Sequence, residues 1–183
     1  MVDLDDERAW IVKSQQGDLE AFEALIKRYQ HMIHSLTFRM TGSTADSEDL
    51  AQETFIQAFQ VLGTFRQEAK FSSWLYRVAL NTCLNWKKRT RRREQAHQEW
   101  GEYLELENPT KDRPGAEHLT EAVQQALLEL HPKQRAAVIL TIYEGLNHAE
   151  AAKILGCSET TVSWRLFAAR KKLKKRLSPI RHR

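Results

Sequence analysis

Phe65 to Arg93 reads FRQEAKFSSWLYRVALNTCLNWKKRTRRR, and its residue types suit contact with nucleic acid rather than bond-breaking chemistry. Phe65, Phe71 and Trp74 alternate with Arg66, Lys70 and Arg77, and a run from Lys87 and Lys88 to Arg93 follows, six basic residues in seven. Cations track a phosphate backbone, and each unpaired base stacked on an aromatic ring contributes about 1–3 kcal/mol. Opening a duplex and extruding a base costs a few kcal/mol, so a few such contacts offset it. Taken singly, Phe65, Phe71 and Trp74 are the kind of aromatics that fill a core, with the basic run as a solvated helix end. A second nucleic-acid signal downstream favours the binding reading.

That second signal is Asn147 to Leu173, NHAEAAKILGCSETTVSWRLFAARKKL. A short helix over 148–155 carries the small Ala151 and Ala152 where two helices cross. Gly156 supplies the left-handed residue that ends it. Ser158 is a good N-cap for the next helix. There Val162, Leu166, Ala169 and Leu173 recur at helical spacing and face inward. Thr160, Ser163, Trp164, Phe167, Ala168 and Lys171 are left on the outer face, where the second helix of a helix-turn-helix meets base edges in the major groove. Two packed helices joined by a turn would be the plainer explanation. The crossing alanines, the placed glycine and the capped basic helix together favour DNA binding.

The third stretch is acidic. In DSEDLAQETFI, Asp46, Asp49, Gln52 and Glu53 share one side of a helix at three- and four-residue intervals. A carboxylate row beside an exposed Leu or Phe fits a surface that meets a basic protein. A metal site fits less well, because no Glu-x-x-His follows and the carboxylates crowd one turn or the next. His31 and His34 lack a third ligand. No nucleophile–base constellation stands out, so a nuclease built on Asp46, Glu48, Asp49 and Glu53 lacks a metal shell. No cofactor is expected.

Composition sets the frame for these motifs. Residues 1–60 hold 5 basic and 11 acidic side chains, and the remainder hold 23 and 13, within an overall net charge of +4. An acidic front and a basic rear suit two partners of opposite sign. Cys83 and Cys157 form no CxxC pair, which points to a reducing, cytoplasmic setting. The start, MVDLDDE, is the reverse of a signal peptide, and no apolar run approaches the roughly 18 residues a membrane span needs.

The elements that must position the motifs read as all-α. A first helix over about 5–16 stops at Gly17. A second, capped by Asp18, carries Phe22, Leu25, Ile26, Tyr29, Ile33, Leu36 and Met40 on one face. A third, opened by Ser43 or Thr44, has Leu50, Phe55, Ala58, Phe59 and Leu62 inward. Ser72 caps a fourth that runs into the basic tail. Asn108 to Gly115, NPTKDRPG, reads as a linker. A helix to Leu130 and another entered through Pro132 precede the helix-turn-helix. Ala136, Val138, Ile139, Ile142 and Tyr143 are expected to pack against it. The expected architecture is two small helical domains, 1–94 and 117–183, joined by a flexible linker over 95–116.

Taken in order, GDLEAFEALIKRYQ, DSEDLAQETFIQAF, FRQEAKFSSWLYRVALN and the helix-turn-helix resemble the extracytoplasmic function (ECF) class of bacterial sigma factors. The likeness covers nearly the whole length, the linker being its weak part. It implies a non-enzymatic promoter-specificity subunit, a monomer when free, whose partners are core RNA polymerase, promoter DNA and an anti-sigma factor. It assigns Asp46, Asp49, Leu50, Gln52 and Glu53 to the clamp helices of the polymerase β′ subunit. It assigns Phe65, Arg66, Lys70, Phe71, Trp74, Arg77, Asn81, Lys87 and Lys88 to the −10 element. Trp74 would wedge at the edge of the melted duplex, and Asn81 with the 65–71 loop would hold an extruded base. Thr160, Thr161, Ser163, Trp164, Arg165, Phe167, Arg170, Lys171 and Lys174 would meet the −35 element. The chain departs from the family at Ser163, Trp164 and Ala168, so base contacts do not carry over there, and at Gln67, where glycine is frequent.

Overall fold

The computed structural model describes residues 4–99 and 116–178, and among these there is no strand. Helices α1 (Leu4–Gln15), α2 (Leu19–Thr41), α3 (Thr44–Val61) and α4 (Phe71–Glu99) form the N-terminal region, with a short 3-10 turn at Leu62–Thr64. Helices α5 (Ala116–Leu128), α6 (Pro132–Val138), α7 (His148–Leu155) and α8 (Glu159–Leu177) form the C-terminal region. Of the expected linker, 95–99 continue α4, Ala116 opens α5, and 100–115 lie outside the described residues.

Local chemistry sets the boundaries. The Asp18 carboxylate accepts from the Ala21 N–H at 3.0 Å to start α2. The Ser43 hydroxyl accepts from the Asp46 N–H at 3.2 Å to start α3. Both are side-chain caps on otherwise unpaired first-turn donors. Pro132 enters α6 in its first turn, behind a His131 cap. Helix α4 begins at Phe71, one residue before the expected Ser72 cap. The stripe of α2 is buried as its period demands at Phe22, Leu25, Ile33, Leu36 and Met40, packed with Leu50, Leu75 and Leu80.

One expectation fails after α6. Residues Ile139–Tyr143 form a π-helical segment, which turns the following side chains by about one position relative to an α-helix. Ile139 is buried, but Ile142 is 66% exposed and Tyr143 is also exposed, so neither packs on the helix-turn-helix. Tyr143 instead takes the Arg39 guanidinium over its ring, 4.4 Å from the centroid.

The two regions share one apolar cluster and a polar seam. Arg135 is buried, and its guanidinium donates to the carbonyls of Leu127, Leu128 and Leu130 at the end of α5 and of Met40 at the end of α2. Two helix C-termini thus supply the partial negative charge that a buried cation needs. Burial pulls its pKa down to about 10. The Gln124 amide donates to the Phe38 carbonyl at 3.1 Å, and the Tyr76 hydroxyl donates to the Glu144 carboxylate. Gly42 has a φ of 76° and lies so close to Leu128 that a Cβ there would collide with it. Glycine alone meets both demands without cost.

Candidate nucleic-acid interface

Helix α8 is built as its residues predict. The α7 start is closed by a reciprocal cap: the Glu150 N–H donates to Asn147 Oδ1 at 2.9 Å and the Asn147 N–H donates to Glu150 Oε2 at 3.0 Å. Gly156, with a φ of 58°, ends α7 in the left-handed conformation. The Ser158 hydroxyl accepts from the Thr161 N–H at 3.2 Å to begin α8. Ala151, Ala152 and Val162 are buried together, and Ala169 is buried in a second cluster with Leu127, Leu130 and Val138. Trp164 and Phe167 are 64% and 69% exposed, so Trp164 does not pack back into its own domain. Thr160, Ser163, Arg170, Lys171 and Lys174 are exposed beside them. Thr161 and Arg165 are half-buried. The Thr161 hydroxyl lies 2.9 Å from that of Ser158, and the Arg165 guanidinium donates to Cys157 Sγ at 3.4 Å. Ser163 Oγ lies 3.0 Å from His148 Nδ1, a pairing that sequence reading did not single out.

The aromatic segment divides between support and surface. Phe65 and Phe71 are buried, their ring centroids 5.4 Å apart. Their rings face the interior rather than solvent, unlike the base-contacting placement that the resemblance implies. Trp74 is half-buried, with its centroid 5.4 Å from Phe65 and 5.3 Å from Phe71. Tilted ring contacts of this kind fix orientation as well as adding attraction. Along α4, positions 74, 77, 81 and 88 share a face, so Trp74, Arg77, Asn81 and Lys88 form one stripe, with Arg77, Asn81 and Lys88 exposed. Lys87 is exposed too, 5.8 Å from the Trp86 ring centroid. Arg66 and Lys70 are exposed in the loop. Gln67 adopts a φ of 58°, a left-handed conformation that suits glycine. A cavity of about 270 Å³ opens among Phe65, Arg66, Trp74 and Arg77, and Lys153 and Ile154 of α7 form its far wall.

The acidic surface on α3 also differs in part. Asp49 and Gln52 are exposed and Asp46 is half-buried. Leu50 is 2% exposed, as its place in the inward period of α3 with Ser47, Thr54 and Ala58 predicts, so it lies in the core rather than on the contact face to which the resemblance assigns it. Phe55 is buried as well. The apolar residue on this face is Ile56, 60% exposed and following Asp49, Gln52 and Glu53 at helical spacing, which sequence reading missed. The Glu53 carboxylate accepts from Arg89 at 3.3 Å and from Gln57 at 3.0 Å, so one cation of the α4 tail already covers it.

The remaining shifted groups have structural causes. Burial, reinforced by Glu144, pushes the Tyr76 hydroxyl well above its ordinary range. Burial, then Glu7, lifts Tyr29 to about 12, and burial lifts the Cys83 thiol to about 12. Among the described residues no group of three or more His, Cys, Asp or Glu is placed to hold a metal ion. No described helix is long and apolar enough to cross a membrane.

Residues 25–93 match the family Sigma-70 region 2, and residues 120–173 match Sigma-70, region 4. The chain is 32% identical to the RNA polymerase sigma-H factor of Pseudomonas aeruginosa, over 98% of each. It is 33% identical to the ECF RNA polymerase sigma-E factor of Escherichia coli strain K12, over 93% of each. In fold it resembles the sigma factor RpoE of Bartonella quintana, solved in complex with the anti-sigma factor NepR. The TM-score is 0.69 at 24% identity, covering 86% of this chain and 96% of that one.

Proposed function

The chain belongs to the ECF class of the sigma-70 family, and on that premise we propose that it binds core RNA polymerase and directs it to promoters. It is a transcription initiation factor, and in this reading it contributes recognition and strand separation without catalytic residues of its own. The observation that carries the reading is the outer face of α8, where Trp164 and Phe167 stand exposed among Arg170, Lys171 and Lys174 on a capped helix. The cations meet phosphates, which sets affinity, and the apolar rings meet thymine methyl groups, which sets sequence.

The work is divided between the regions. Residues 117–183 dock on the −35 duplex, residues 1–94 open the −10 element, and 95–116 tether them. A tether makes the second contact intramolecular, so two weak sites act as one strong one. At the −10 element the stripe of Trp74, Arg77, Asn81 and Lys88 receives the unpaired strand, with Arg66 and Lys70 on its phosphates and Phe65 and Phe71 beneath. Asp46, Asp49, Gln52, Glu53 and the exposed Ile56 meet the clamp helices of the β′ subunit. There the partner's cations compete with Arg89 for Glu53. An anti-sigma factor covers these surfaces until it is released. The free protein is a cytoplasmic monomer.

Two measurements together test the reading. The purified chain should co-purify with core polymerase. The resulting holoenzyme should protect an upstream duplex stretch while leaving thymines near the start site reactive to permanganate. A chain that binds DNA alone, with no affinity for polymerase, would instead be a free-standing helix-turn-helix regulator.

A further inference from the structure

Helix α1 precedes residue 25, where the match to region 2 begins, and no part of the proposed interface lies on it. Its side chains nevertheless hold the loop that ends at Phe71. The Gln15 amide nitrogen donates to the Leu62 carbonyl at 3.0 Å and to the Phe65 carbonyl at 2.9 Å, bracketing the 3-10 turn that enters the loop. Two turns earlier on α1, Arg8 Nε donates to Gln67 Oε1 at 3.1 Å. Among the described residues, these are the only side-chain hydrogen bonds that reach residues 65–70 from outside the loop.

The loop needs such a hold. Gln67 has a φ of 58°, where a side chain is disfavoured and glycine is not. The loop therefore keeps a conformation that its own backbone does not prefer. The Phe65 carbonyl bound by Gln15 belongs to the residue whose ring supports Trp74. Movement of that carbonyl therefore moves the platform beneath the stacking surface.

Resting on the proposed −10 role of this loop, we infer that Gln15, assisted by Arg8, is a positioning residue for base reading. It touches no DNA. It holds Phe65 to Gln67 in one shape before the unpaired strand arrives, and a site fixed in advance discriminates between bases better than one that adapts to each.

The test uses holoenzyme on a library of premelted promoters varied at the −10 positions, scored as the ratio between the best sequence and its competitors. A ratio is blind to the fraction of protein that is folded, so a purely structural defect leaves it unchanged. Gln15→Glu keeps the shape, removes the donor and sets a carboxylate against two carbonyls. It should flatten the −10 ratios by roughly threefold to tenfold, the span expected for losing the net contribution of one hydrogen bond. Ratios across −35 variants should stay as in the wild type, and Gln15→Lys, which restores a donor, should recover the −10 ratios. Unaltered −10 ratios in Gln15→Glu, equal flattening at both elements, or no recovery in Gln15→Lys would overturn the inference. Trp74→Ala separates this from failure of the underlying reading. If Trp74→Ala also leaves −10 selection intact, the loop does not read the strand and the role of α1 falls with it.

Discussion

Replacing Trp164 by alanine should alter promoter choice far more than stability. Trp164 is 64% exposed, so about a third of its surface is out of water. A fully buried aromatic removes up to about 250 Å², which leaves roughly 90 Å² for Trp164. At about 25 cal/mol per Å² the loss is at most about 2 kcal/mol. The unfolded chain buries part of that area already, so the true cost is smaller. A core tryptophan would lose about 3–5 kcal/mol. A base contact is worth roughly 1–3 kcal/mol of discrimination, about fivefold to 150-fold in preference. Lys171→Ala supplies the contrast, because a lost phosphate contact weakens all promoters alike and reduces the log–log salt slope by about 0.9. A selection from a promoter library, read beside a thermal melt, checks both. An unchanged −35 ranking with a loss of core size would refute the placement of Trp164 on the reading face.

Asp49→Lys with Glu53→Lys should abolish capture by immobilised core polymerase while the fold survives, since like charges facing a basic partner cost several kcal/mol. Asp49→Lys alone should do most of the damage, because Arg89 already covers Glu53. Trp74→Ala and Asn81→Ala should impair opening of duplex promoters, with permanganate reactivity as the readout, and a premelted template should largely restore them. Equal failure on both templates would remove the melting role. Buried Cys83 should resist iodoacetamide until the chain unfolds, whereas Cys157 should react in the native state. The folded Cys83 pKa of about 12 lies above the ordinary 9.0, so its contribution is complete below pH 9 and is lost as pH rises to 12. Relative to Cys83→Ala, the wild type should lose up to about 1.4 kcal/mol per pH unit in that window.

How much was legible in the sequence depended on whether the signal was local. Gly156 and Ser158 act on their own neighbours, so the helix-turn-helix could be placed to the residue. The α2 stripe follows the same logic. Leu50 is placed inward by its helical spacing even though the resemblance assigns it to contact, whereas Phe65 and Phe71 are harder, because residue type argues for contact and only the ring packing with Trp74 puts them inside. Ile56 escaped notice because an isolated exposed isoleucine carries no motif. The π-helical segment leaves no periodic trace in ILTIY, so Ile142 and Tyr143 were turned to the wrong side. Arg135 and Gln15 were out of reach, since each is defined by carbonyls of distant helices and turns. Backbone acceptors look alike at every position of a sequence.

The central claim is that this chain gives core RNA polymerase its choice of promoter. Run-off transcription by purified core polymerase, with and without the chain, on a genomic promoter library tests it most directly. The account predicts initiation only when the chain is present, at sites sharing one upstream and one start-proximal element at fixed spacing. Trp164→Ala should shift the upstream element and Trp74→Ala should silence duplex templates. Initiation indifferent to the chain, or directed by it at sites with no shared elements, would contradict the account.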